Sequence, residues 1–348
     1  MIIVLELYTN RKKSQERLQK CKNDSMVDIR KNMCRMKRKG EVAIKASLVI
    51  MAAGIGSRYG GDKQVDGIGP HNEILMEYSV YDAIRAGFER VVFIIKPELE
   101  QLVDRLCGDY LKEKKTLKGE PLEVVYAFQD YSSIPGFYTI PPERTKPFGT
   151  VHALLCAKEA VDGPFAVINA DDYYGVDAYR TMYKTLMELP EQGEAAMVGY
   201  LLQNTASLNG TVTRGVCTVE DGWLRSVKET MKIQLFADGS VWDQVEKREL
   251  DPKGVVSMNF WGFMPSVFGE MERYFERFLR ETAGDSLTAE CLLPVMVDHL
   301  MGEDRLSVRV LHSADRWFGM TYHQDRAIVG AALDALHKRG VYPDSLQA

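Results

Sequence analysis

Between Leu48 and Gln64 the chain reads LVIMAAGIGSRYGGDKQ, an apolar run that breaks into Ala52-Ala53-Gly54 and continues through Gly56, Arg58, Gly60-Gly61 and Lys63. A short buried strand ending in such a turn leaves backbone N–H groups unshielded by side chains. The arginine and lysine add positive charge, so the combination suits an anionic phosphate chain. A second chemical signal is FAVINADD, an apolar strand that ends in Asp171 and Asp172. Carboxylate oxygens are the ligand type that a hard divalent cation takes. Two common phosphate loops do not fit. The P-loop needs Ser or Thr after its lysine, where this chain has Gln64. The dinucleotide fingerprint needs a third glycine, where it has Tyr59, and the chain runs on through Gly67, Gly69 and Pro70 instead of opening a helix.

These residues need elements to position them. Strand patterns at 47–51, 91–95, 122–128 and 165–168 alternate with helical patterns at 74–87, 98–113 and 151–160. Runs such as VVFII read as strands buried on both faces, which implies parallel strands covered by helices. The expected fold class is α/β, a doubly wound, mostly parallel Rossmann-like sheet with ligands at the carboxyl ends of its strands. Beyond 193 the pattern turns antiparallel, with strands at 195–202, 215–220, 223–228, 233–236, 241–245 and 255–263. Asp221-Gly222 and Asp238-Gly239 mark hairpins there. Helices at 266–282, 287–301 and 324–338 complete a single domain over 45–340 in two halves, 45–192 and 193–340. Residues 130–147, with Pro135, Pro141, Pro142, Arg144 and Lys146, have the length of a lid.

On these residues the chain resembles the sugar-phosphate nucleotidyltransferases, whose nucleotide loop is an apolar strand, then A-A/G-G-x-G-x-R, then a lysine after a short spacer. The Asp62-Lys63 pair resembles the molybdenum-cofactor guanylyltransferase-like members of that family. The resemblance implies a GT-A-like fold, with 45–192 as the nucleotide-binding half, 193–340 as the acceptor-binding half, and Arg58 and Lys63 as catalytic residues. It places the nucleotide against Ala52, Ala53, Gly54, Gly56, Gln129, Gly149 and Thr150. It also implies Mg²⁺ on Asp171, with Ala170 standing where the family has glycine, and Asp172 as a further metal contact, a partner behind the metal ligands or a turn residue. Gly215, Glu229 and Asn259 match the family's acceptor-binding positions. Two positions depart from the family: Thr230 follows Glu229 where a lysine is common, leaving Lys228 or Lys232 as substitutes, and Gly319 in WFGMT stands where some relatives carry a second metal aspartate.

The implied reaction joins a nucleoside triphosphate to a sugar 1-phosphate, giving an NDP-sugar and pyrophosphate. A non-sugar acceptor (phosphocholine or a pterin cofactor) remains an alternative, as does a catalytically silent NDP-sugar-binding regulator. A GT-A glycosyltransferase is disfavoured by the missing Asp-x-Asp. Neither His71 nor His152 is needed for the chemistry, and His152 is expected to pack on its helix.

The bulk of the chain agrees with a soluble cytoplasmic enzyme. Its 348 residues are 45% hydrophobic and 27% charged with a net charge of −5, so no global basic excess points to nucleic acid. The 6 cysteines are scattered without zinc spacing, which suits free thiols in a reducing compartment. No apolar run has transmembrane length, and a homo-oligomer is left open. Residues 1–40 are rich in Lys and Arg with little apolar periodicity. They read as a disordered extension, or as sequence ahead of a true start at Met33 or Met36.

Overall fold

The computed structural model describes residues 44–54, 67–282 (the side chains of 108 and 109 excepted), 287–313, 315–319 and 325–346. The basic segment 1–40 and the loop residues Gly56, Arg58 and Lys63 therefore lie outside the described residues. The unit Lys45–Ala348 contains everything that follows.

The apolar runs of the first half form parallel strands: β1 (Ser47–Met51), β2 (Arg90–Ile95), β3 (Glu123–Phe128) and β4 (Phe165–Asn169). β1 lies between β2 and β4, with Ile50 level with Phe93 on one side and Ile168 on the other. Strand alternation sends Leu48, Ile50 and Ala52 into one core layer and Val49 into the layer on the opposite face. Helices α1 (Leu75–Ala86) and, further along, α5 (Val176–Leu186) cover the first face. On the second lie α4 (Thr150–Cys156), α6 (Val267–Glu281) and α7 (Leu293–Gly302). Glu77 Oε2 accepts the Ile74 backbone N–H at 2.7 Å to start α1, and Gly87 at φ 120 ends it.

The second half adds β6 (Glu194–Leu201), β7 (Val212–Glu220), β8 (Trp223–Leu235), β9 (Val241–Asp243), β10 (Arg248–Leu250), β11 (Val255–Phe263) and β12 (Ser307–His312). The sheet order is β10-β9-β8-β12-β6-β11-β4-β1-β2-β3, with β7 spanning β11 and β8. β11 is the fork. Its first half pairs with β7 and its last residues pair with β4, while β6 runs along the other side. Between these stretches the register shifts, and Asn259 takes φ 61 in the bulge. A short pair, β5 (Asp172–Tyr173) with β13 (Phe318–Gly319), and the C-terminal helix α8 (Asp325–Lys338) complete the unit.

Several elements differ from the sequence expectation for identifiable reasons. The helix expected over 98–113 is divided into a 3₁₀ turn at Pro97–Leu99, α2 (Glu100–Val103), a π-helical turn at Asp104–Gly108 and α3 (Asp109–Leu111). The helix expected from 287 begins at Leu293 instead, with Pro294 in its first turn, and residues 291–293 pair with the chain around Gly149. Strands expected at 223–228 and 233–236 are one strand, β8, because neighbouring β7 stays paired with it from Val212 to Glu220. The expected 241–245 strand stops at Asp243, whose carboxylate accepts the Val245 and Glu246 N–H groups in a turn. Sequence reading passed over α5, whose Tyr- and Thr-rich sequence has modest helix propensity. It also passed over β12, where Val308 and Val310 alternate into the core.

Candidate active site

The strand order changes direction between β1 and β4, and in open α/β sheets a ligand crevice lies outside the carboxyl ends at that point. The structure has a cavity of about 370 Å³ there. Ala53 and Gly54 reach it from the end of β1, and Gln129 from the end of β3. Gly149 and Thr150 come from the start of α4, Asn169, Ala170 and Asp171 from the end of β4, and Asn259 from the β11 bulge. Seven of the residues singled out in the sequence thus line one cavity: Ala53, Gly54, Gln129, Gly149, Thr150, Asp171 and Asn259. Ala52 is fully buried behind it, its N–H bonded to Ile94 O at 2.8 Å.

The structure sets the role of each end group. Asn169 Nδ2 donates to Asp172 Oδ2 at 2.8 Å, which leaves the amide Oδ1 as its acceptor in the cavity that Asp171 also lines. Asp172, only 7% exposed, is absent from the cavity lining, and its Oδ2 lies 3.2 Å from the Tyr174 hydroxyl oxygen. Of the roles expected for Asp172, the structure shows the supporting one, a brace on the Asn169 amide. Gly319 pairs with Asp172 across β13 and β5, and a Cβ at 319 would meet the Trp317 indole at 2.3 Å and Asp172 Oδ1 at 2.8 Å. The space that a side chain at 319 would need is filled here by Asp172 and Trp317. Asn259 Oδ1 takes the Trp261 indole N–H at 3.4 Å, so its Nδ2 is the group it offers to a ligand. The Thr150 hydroxyl accepts the Leu293 N–H at 2.7 Å, tying α7 to the start of α4 instead of capping its own helix.

Tyr174 holds this edge of the site together. Its fully buried hydroxyl accepts the Asn169 N–H at 3.0 Å and lies 2.9 Å from Met258 O, linking the end of β4 to the bulge that carries Asn259. Removing that hydroxyl leaves buried backbone groups unsatisfied. Tyr174→Phe is expected to lower stability by about 1–3 kcal/mol with an unchanged denaturant slope, measured by urea unfolding.

Glu290 and Leu292 also line the cavity, and Lys146 pairs with Glu290 at 2.7 Å. Sequence reading assigned these residues to a helix, and Pro294 was the one signal that the helix starts later. The long 130–147 segment packs against Phe148 and not across the cavity. Arg144 lies 3.9 Å above the Phe148 ring and donates to Ala289 O, Tyr131 and Tyr138 meet the ring edge-on, and only Pro147 of this segment reaches the cavity. It is a brace for the Gly149 turn and not the expected lid.

His152 has the packing role expected of it. It stacks on Phe275 with centroids 5.3 Å apart and shares a hydrogen bond with Ser133 Oγ at 2.9 Å. Burial holds its imidazole down at about 4. The folded-state value lies below the unfolded value near 6.5, so this contribution to stability is complete above pH 6.5 and lost as pH falls toward 4. At ~1.4 kcal/mol per pH unit the loss reaches ~3 kcal/mol. Urea midpoints taken from pH 7 down to pH 4.5 should show this slope, and His152→Phe should flatten it.

The acceptor-side residues sit on the neighbouring strands. Gly215, Glu229 and Ser257 are level across β7, β8 and β11. The Glu229 carboxyl is pushed up by burial, with Arg214 acting against the shift. None of Gly215, Glu229 and Ser257 lines the cavity around Asp171, so the structure brings Asn259 to that cavity but not Gly215 or Glu229. Of the substitute lysines, Lys228 pairs with Glu246 and Lys232 takes φ 53 in an irregular stretch of β8.

A crevice of this composition at the switch point of a GT-A-like α/β sheet belongs to a nucleotide-handling enzyme. The family model for nucleotidyl transferases matches residues 48–293, and the chain belongs to that family: it is a nucleotidyltransferase. Solved structures share the fold. A putative glucose-1-phosphate thymidylyltransferase from Bacillus anthracis matches with TM-score 0.55 and 14% identity, over 87% of this chain and 98% of that one. The inositol-1-phosphate CTP transferase from T. maritima matches with TM-score 0.54 and 11% identity, over 86% and 98%. A UDP-glucose pyrophosphorylase complexed with UDP-glucose matches with TM-score 0.51 and 17% identity, over 83% and 98%. No curated protein sequence matches the chain. Among the described residues no helix is long and apolar enough to cross a membrane.

Proposed function

We propose that this enzyme joins a nucleoside triphosphate to a sugar 1-phosphate, forming an NDP-sugar and pyrophosphate. The observation that carries the reading is the convergence of Ala53, Gly54, Gln129, Gly149, Thr150, Asp171 and Asn259 on one cavity. A phosphate oxygen of the acceptor attacks the α-phosphorus in line, a new P–O bond forms, the α–β bridging bond breaks and pyrophosphate leaves. The attacking oxygen is already ionised at neutral pH, so no general base is required and catalysis rests on position and charge. On the sequence pattern Arg58 holds the leaving β,γ-phosphates and Lys63 meets charge building at the α-phosphate. Gln129 lies where a base edge would be read.

The donor set also fits Mg²⁺. Among the described residues no cluster of three or more His, Cys, Asp or Glu forms a protein-only site. One carboxylate (Asp171) beside an amide oxygen (Asn169) matches a cation that completes its shell with phosphates and water. Bound there, Mg²⁺ would neutralise phosphate charge in the transition state.

Pyrophosphate release over an array of triphosphates paired with sugar 1-phosphates, phosphocholine and a pterin tests the reading. Release with a sugar 1-phosphate is expected. Release with phosphocholine or the pterin alone would replace the sugar as acceptor, and tight NDP-sugar binding in calorimetry without any release would make the protein a silent binder.

A further inference from the structure

The C-terminal residues 325–346 contribute no side chain to the cavity, yet a buried polar chain links them to it. α8 and the residues after it pack on α1 and β5 through Ile68, Tyr78, Tyr173, Leu333, Tyr342 and Leu346. Inside this layer Tyr342 donates its hydroxyl proton to Asp82 Oδ2 at 2.6 Å. Tyr342 has one proton to give, so the Tyr173 hydroxyl, 2.8 Å away, donates to it. The chain of donors runs Tyr173 to Tyr342 to Asp82.

Asp82 is 1% exposed, and its Oδ1 has no hydrogen-bond partner among the described residues. Burial pushes the carboxyl up to about 7, against the pull of Tyr342, Arg85 and Arg180 and with a push from Asp315. A carboxyl in so apolar a place is costly, and packing alone gives no reason for it. At the other end of the chain, Tyr173 follows Asp172 in β5, and Asp172 orients the Asn169 amide beside Asp171. The same C-terminal segment reaches the exit of the phosphate loop. Arg326 donates to Gly67 O at 2.6 Å, and Tyr78 bonds His337 Nε2 at 2.9 Å while His337 Nδ1 bonds Pro343 O at 2.7 Å.

We propose that Tyr342 and Asp82 are positioning residues of the transfer reaction. Through Tyr173 the C-terminal segment holds β5 in the register that aims Asn169, and through Arg326 it holds the exit of the nucleotide loop. The inference rests on the transferase reading for its kinetic arm only.

Three variants test it: Tyr342→Phe, which removes one hydroxyl; Asp82→Asn, which keeps the acceptor without charge; and Asp82→Leu, which removes both. Pyrophosphate release is followed together with backbone hydrogen exchange across residues 170–174. Tyr342→Phe and Asp82→Leu should each lower kcat at least about tenfold, with KM for the triphosphate within about twofold, the signature of misplaced groups and not lost binding. In both, exchange at 170–174 should rise about tenfold, while Asp82→Asn keeps kcat within about threefold of wild type. Should Tyr342→Phe fail to fold, Tyr173→Phe takes its place with the same expectations. Wild-type exchange at 170–174 in a folded Tyr342→Phe protein would overturn the proposal, as would wild-type kcat. If the wild-type enzyme turns over no triphosphate, the reaction reading fails, and the exchange result alone still decides whether the segment positions β5.

Discussion

Asp171→Asn should lower the rate of pyrophosphate release at least about 100-fold, which corresponds to ~2.7 kcal/mol of lost transition-state stabilisation. The asparagine keeps the size of the side chain at the end of β4 and removes only its charge. The backbone there is held independently, by β4 pairing and by the Tyr174 hydroxyl on the Asn169 N–H, so the fold should survive. The neighbouring oxygen, Asn169 Oδ1, is neutral and cannot replace a carboxylate against phosphate charge. Lys63→Ala should cost on the same scale, since in the proposed reaction it removes the cation that meets charge building at the α-phosphate. The check is steady-state pyrophosphate release with saturating triphosphate, alongside thermal melting to show that both variants remain folded. Near-wild-type turnover in both would remove the mechanism.

Gly149→Ala should damage stability and activity together. Gly149 has φ 94, and a Cβ there would meet Cys291 O at 2.5 Å, Cys291 N at 2.7 Å and Cys291 C at 2.9 Å. All three are backbone atoms, held by the Cys291 N–H on Phe148 O at 2.8 Å and the Val151 N–H on Cys291 O at 3.1 Å. Relief requires one chain to move away from the other, which breaks these bonds. Left-handed strain of ~1–3 kcal/mol adds to overpacking of similar size, so the expected loss is about 2–5 kcal/mol. Because Thr150, Glu290 and Leu292 line the cavity on either side of this contact, activity at 25 °C should fall as well. A melting temperature within a degree of wild type would show that the two segments are not locked together as described.

Most of the cavity's lining was legible before the fold was known, because its signals are local. A strand ending in Ala52-Ala53-Gly54, a strand ending in Gln129, the Gly149-Thr150 helix start and a strand ending in Asp171 each announce themselves within a few residues. A parallel sheet must place all of these ends on one side. The same locality explains where the expectations stayed open or failed. From its position beside Asp171, Asp172 reads as a metal contact, a partner behind the ligands or a turn residue, and only its hydrogen bond to the Asn169 amide shows it as a brace. The 130–147 segment reads as a lid from its length, but Arg144 and the aromatic contacts fasten it to Phe148. Gly149 itself reads as a ligand-facing glycine; that Cys291 crowds it could not be seen from the sequence, because the two residues are 142 positions apart in the chain.

By itself, then, the sequence determined the class of this protein, the order of its parallel strands' carboxyl ends and most of the residues that converge on the cavity there, because strand period, turn chemistry and capping act over neighbouring residues. Tertiary structure decided the rest: the fork in β11 that brings Asn259 to Asp171, the approach of residues 290–292 to the Gly149 turn, and the Asp82–Tyr342–Tyr173 chain behind β5. Each of these joins segments far apart in sequence, where only packing and hydrogen bonding in the assembled core select the partner.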